Sequence, residues 1–76
     1  MKIEVLGTGC SKCNTLADHV KAAVAEAGVS AEIVKVTDIA TIAQRGVLMT
    51  PALVIDGQVK TSGKVPSVTE IRQMLT

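Results

Sequence analysis

The sequence predicts an α/β protein with element order βαβαββα, a sheet sandwiched between helices in three layers. Short aliphatic and β-branched runs alternate with stretches whose apolar residues recur every three or four positions, and Asp56-Gly57 splits the last two β-prone runs. The β-prone runs are apolar on both faces, so they need helices on both sides.

Taken in order, Lys2 to Leu6 is a short strand closed by Gly7. From Ser11 the positions Leu16, Val20, Val24 and Ala27, with Cys13, Ala17 and Ala23 beside them, follow helical spacing until Gly28. Ala31 to Val36 is a second strand, and the helical crossover makes it parallel to the first. Thr37 or Asp38 then caps a short helix carrying Ile39, Ile42 and Ala43, which Gly46 stops. Pro51 opens a third strand, Ala52 to Ile55, and Asp56-Gly57 turns it into Gln58 to Thr61 as a type I′ hairpin. Pro66 precedes a last helix signalled by the capping-box pair Ser67 and Glu70, with Val68, Ile71, Met74 and Leu75 as its apolar face.

Composition limits the function. Seventy-six residues read as a single domain, 1–76, with a small core. Lys and Arg number eight against seven acidic residues, dispersed along the chain, so no basic stripe invites nucleic acid. Phe, Tyr and Trp are absent, which removes the usual platforms for stacking bases. Residues 1–6 place Glu4 inside a short apolar run, unlike a secretory leader, and no run reaches transmembrane length. A cytoplasmic, monomeric protein with neither membrane nor nucleic-acid partners is expected.

Both cysteines lie in Gly7-Thr8-Gly9-Cys10-Ser11-Lys12-Cys13, where the first strand gives way to the first helix. With Cys10 opening the helix, Cys13 lies one turn on, so the two sulfurs can form a disulfide or close on a metal. A loop this short is a poor structural staple, worth about 2 kcal/mol at best, which favours a chemical role. Thiol–disulfide exchange needs an accessible thiolate. Cys10 would gain it from the unpaired N–H groups and positive end of the helix, with Lys12 adding a cation. Cys13, on the apolar side, suits a resolving thiol. Gly7 and Gly9 let the loop turn sharply and leave room for a substrate chain.

The whole pattern resembles the thioredoxin fold, and within it the very small thioredoxin-like and glutaredoxin-like redox-active disulfide proteins of bacteria and archaea, which share a Gly-x-Gly-Cys-x-x-Cys opening. The likeness extends over essentially the entire chain. It implies a four-stranded mixed sheet in the order 4-3-1-2 with the third strand antiparallel. It also implies Cys10 as nucleophile, Cys13 as resolving thiol and Pro51 as a cis-proline facing the disulfide, although only about 5% of X-Pro bonds are cis. A cis Pro51 would turn the Thr50 backbone toward Cys10 to pair with an extended substrate. The activity implied is reduction of, or exchange with, protein or small-molecule disulfides, using no cofactor beyond the cysteine pair and a disulfide reductase as electron donor. Ser11-Lys12 departs from the Gly-Pro of typical thioredoxins and the Pro-Tyr of typical glutaredoxins, and Gly9 replaces the thioredoxin Trp. Ser62-Gly63-Lys64-Val65 does not reproduce the glutathione-holding Gly-Gly of glutaredoxins, which leaves the electron donor and the potential open.

The alternative is a Cu(I) or Zn(II) chaperone built on the same Cys-x-x-Cys. Heavy-metal-associated domains of this length run βαββαβ, however, and further ligands for a closed zinc site are lacking. A third reading is a binding module with incidental cysteines. Gly7-Thr8-Gly9 lacks the third glycine of a dinucleotide fingerprint, having Lys12 there instead. His19 reads as a solvated helical histidine, Asp18 and Glu26 as a polar face, Lys60 and Lys64 as edge-strand protection, and Met49 and Met74 as core, with Met49 a candidate for the rim of the disulfide.

Overall fold

In a computed structural model, which describes residues 1–9 and 11–75, β1 (Lys2–Leu6) is a central strand of a four-stranded sheet. The helix α1 (Ser11–Ala27) crosses over to β2 (Glu32–Val36), which pairs with β1 in parallel, Ile3 opposite Ile33 and Leu6 opposite Val36. The short α2 (Ile39–Gln44) leads to β3 (Ala52–Ile55), antiparallel to β1, and then to β4 (Gln58–Ser62), antiparallel to β3. The chain ends in α3 (Val68–Leu75). The strand order β2-β1-β3-β4 is the 4-3-1-2 order read from the other edge, with β3 antiparallel as expected.

Alternation along the strands divides the core in two. Ile3, Val5, Leu53 and Ile55 face α1 and α3 and pack with Leu16, Val20 and Ile71, all but fully buried. Leu6, Ala52 and Val54 face the other way and pack with Ile42 and Val47 under α2. Two layers of helix around one sheet follow from strands that are apolar on both faces.

The turn chemistry matches the hairpin expectation, since Asp56 (φ 49°) and Gly57 (φ 83°) both adopt the left-handed conformation that a type I′ turn requires. The Asp56 carboxylate accepts from the Lys2 N–H at 2.8 Å, and the Asp56 N–H donates to the Lys2 carbonyl at 2.8 Å, which ties the turn to the start of β1. The strand is not regular. Leu53 pairs with Thr61 but Val54 with Val59, so Lys60 is bulged, Thr61 turns inward and Val59 stays 44% exposed. At the third helix, the Glu70 N–H donates to Ser67 Oγ and the Ser67 N–H to Glu70 Oε1, both at 3.1 Å, a complete capping box. At α2, Asp38 occupies the N-cap position, yet its carboxylate accepts from the Thr41 hydroxyl at 2.8 Å instead of capping the backbone.

Two side chains differ from expectation. His19 is half-buried and its Nδ1–H donates to the Pro66 carbonyl at 2.9 Å, joining α1 to the approach of α3 where solvation was expected. Glu26 lies on the exposed polar face of α1, as expected, and is paired there with Arg72 of α3 at 3.1 Å. Met49 is 62% exposed and lies against Gly63, at the rim and outside the core, because the turn before Pro51 runs over the surface.

Candidate functional site

The site is assembled where β1 ends. Gly7 is buried, and its N–H donates to the Val36 carbonyl at 2.9 Å, continuing the β1–β2 ladder by one residue. Cys13, in the first turn of α1, is 5% exposed. Its sulfur rests directly on the Gly7 backbone: a Cβ at Gly7 would overlap Cys13 Sγ, stand 3.1 Å from Cys13 Cβ and reach Pro51 Cα at 3.9 Å. Gly7 is therefore glycine for want of space, and only a hydrogen there lets sulfur, strand end and proline loop meet.

Pro51 is fully buried, and the Thr50-Pro51 peptide is cis, as the resemblance implied. Its carbonyl accepts from the Gly63 N–H at 2.9 Å. Ser62 donates its hydroxyl to the Met49 carbonyl at 3.1 Å, so the end of β4 holds both sides of the Thr50-Pro51 corner. Thr50 itself is exposed, as are Gly9, Ser11 and Lys12. The Ser11 carbonyl accepts from the Thr15 hydroxyl at 3.0 Å within the first turn of α1. Cys10, the expected nucleophile and expected first residue of the helix, lies outside the described residues.

Two hollows flank this corner on opposite faces of the sheet. On the α1 side, a cavity of about 20 Å³, roomy enough for one water molecule, is lined by Val5, Gly7, Gly9, Cys13, Asn14, Lys35 and Thr37. On the α2 side, an open groove of about 250 Å³ runs between Thr8 and Thr50 and is walled by Ile39, Ile42, Ala43, Val47 and Leu48. Ile39 is 71% and Leu48 97% exposed, so this wall is an apolar surface that the chain leaves uncovered. Among the described residues its lining carries no charge.

The structure thus brings Cys13, Thr50, Pro51 and Gly9 to one end of the sheet. Sequence reasoning missed the groove, whose walls come from α2 and the turn after it, and it missed Lys35 and Asn14 beside the resolving position. It noted Glu4 only as a break in an apolar run and assigned it no partner; Glu4 is 4% exposed and accepts from Arg45 Nη2 at 2.7 Å. An acidic residue inside an apolar strand was the available signal.

The element order βαβαββα differs from that of heavy-metal-associated domains and gives the metal-chaperone reading no support. The thioredoxin-domain family matches the chain over residues 1–76. A thioredoxin of Methanocaldococcus jannaschii is 49% identical over 73 residues, covering 96% of this chain and 84% of that protein. A thioredoxin of Methanothermobacter thermautotrophicus is 38% identical over 76 residues, covering 100% of this chain and 99% of its own. With this fold, this match across its length and these relatives, the chain belongs to the thioredoxin family of thiol–disulfide oxidoreductases.

Proposed function

We propose that the chain reduces disulfides of partner proteins through a reversible Cys10–Cys13 couple, with Cys10 attacking and Cys13 resolving. The Cys10 thiolate attacks one sulfur of the partner disulfide, forming a mixed disulfide and expelling the other partner sulfur as a thiolate, which takes a proton from water. Cys13 then loses its proton and attacks the Cys10 sulfur. The Cys10–Cys13 disulfide forms, the second partner thiolate leaves, and two electrons have passed to the partner. A disulfide reductase returns them.

The observation that carries this reading is the seat of Cys13: a sulfur buried against Gly7 and beside Pro51, at the head of a helix that begins one residue after Cys10. A buried sulfur in that place is shielded from outside reagents, as a resolving cysteine should be. Exposed Gly9, with Ser11 and Lys12 exposed at the start of α1, leaves an approach for the partner, whose extended chain pairs with the Thr50 backbone and lays its apolar side chains in the groove of Ile39, Val47 and Leu48.

Two substitutions test the roles. Cys10→Ser abolishes turnover of a model disulfide, whereas Cys13→Ser leaves the attack intact and accumulates a mixed disulfide visible by mass spectrometry. The reverse pattern overturns the assignment, and full activity of Cys10→Ser would reduce the protein to a binding module.

A further inference from the structure

Glu4 is the only buried charged side chain among the described residues. It stands in the middle of β1 opposite Val54, and shares its sheet face with Leu6, Ala52 and Val54, against which Ile42 of α2 packs. A lone carboxylate there would be costly, and the 2.7 Å contact with Arg45 Nη2 supplies the compensating charge. Arg45 is the C-cap of α2, immediately after its last helical residue, and its side chain is 42% exposed.

The α2 helix has little else to hold it. It is six residues long, buries Ile42 alone, and has no side-chain hydrogen bond to its N-terminal backbone. Yet Ile39, Ile42 and Ala43 form one wall of the groove, and the turn that follows Arg45 supplies Val47, Leu48 and Thr50. A small swing of α2 would change the groove's width while leaving Gly7, Cys13 and Pro51 where they are, since those residues are fixed by β1, α1 and the Gly63 hydrogen bond.

We propose that Glu4 and Arg45 are positioning residues for protein-substrate affinity: their ion pair ties the end of α2 to the central strand and so sets the groove that receives the partner chain, without acting on the thiols. This rests on the oxidoreductase reading above.

The test compares steady-state reduction of insulin, a protein disulfide, with reduction of a small aromatic disulfide that needs no groove, in the wild type and in Arg45→Ala, Arg45→Lys and Glu4→Gln. Arg45→Ala is expected to raise KM for insulin about fivefold with kcat unchanged, the signature of lost uniform binding. The rate toward the small disulfide stays at the wild-type value, and Arg45→Lys recovers part of the affinity. Glu4→Gln, which keeps the shape of the side chain, raises KM in the same way should Arg45→Ala fail to fold. Unchanged KM in every variant overturns the proposal, and so does a parallel fall toward both substrates. A third overturning result is a slower small-disulfide reaction with a shifted pH profile in Glu4→Gln alone, which would assign the carboxylate to the thiols. A wild type inert toward both disulfides sinks the oxidoreductase reading itself and is thereby distinguished from failure of the groove argument.

Discussion

At the scale of single residues, the position of the resolving sulfur depends on the atom that Gly7 lacks. Its Cβ would overlap Cys13 Sγ, and behind it stand the Pro51 backbone and the β1–β2 ladder, none of which yields cheaply. Gly7→Ala should therefore cost about 1–3 kcal/mol, the range for overpacking a filled interior, measured as a lowered midpoint in urea. The same variant should resolve a preformed mixed disulfide more slowly, seen as its longer lifetime after rapid mixing. Lys12, exposed in the first turn of α1, is expected to act by charge alone. Lys12→Ala should move the alkylation profile of Cys10 to higher pH, and an unshifted profile would remove the lysine from the mechanism. The two cysteines were legible in the sequence because their spacing is itself the chemistry. The Gly7 contact was not, since it joins positions 7, 13 and 51, which only the folded sheet brings together. Glu4 was visible as an anomaly, but its partner, Arg45, lies beyond a crossover and a second strand.

At the scale of elements, the helices differ in how much of their stability is local. The reciprocal hydrogen bonds of Ser67 and Glu70 close the start of α3, and periodicity plus this pair made the helix legible in advance. Ser67→Ala should cost about 0.5–2 kcal/mol in chemical denaturation. The backbone N–H of Ser67, then its hydroxyl, hold the Glu70 carboxyl below its ordinary value, with Lys64 adding a smaller push the same way. A lowered carboxylate stabilises the fold above its unfolded-state titration, and the benefit is lost as pH falls through the lowered value. Thermal melts of Glu70→Gln across the acid range should accordingly lose part of the wild type's pH dependence, while wild type and variant converge at the acid end. Between elements, the exposed Glu26–Arg72 pair contributes little, whereas the His19 bond to the Pro66 carbonyl is partly shielded. That bond was illegible because helical spacing shows which face a histidine occupies but not which carbonyl another segment brings to it. The short α2 was read correctly as an element and incorrectly as a conventionally capped one, because Asp38 has Thr41 as a competing partner.

At the scale of the whole molecule, the sheet separates two cores of unequal size. The one under α1 and α3 contains Leu16, Val20, Leu53 and Ile71, each essentially inaccessible; the one under α2 is closed by Ile42 and Val47, both slightly exposed. Ile71→Ala should cost about 2–5 kcal/mol, a large part of the roughly 5–15 kcal/mol that holds a domain folded. Amide exchange by mass spectrometry should show α2 opening well before α1, β1 and β3, and equal protection of the two sides would contradict this division. The three layers were legible because strands apolar on both faces demand them. The order of the strands was not, since alternation places side chains on faces without choosing neighbours; it came from the resemblance to a known fold. The Lys2–Asp56 hydrogen bonds add a polarity to this architecture, because they fasten the hairpin turn to the start of β1 while the sulfur lies beyond its end. A tether or label engineered into the Asp56-Gly57 turn would therefore moor the molecule by its inert pole and leave the reactive pole facing outward, a ready-made orientation for fixing the protein to an electrode or bead.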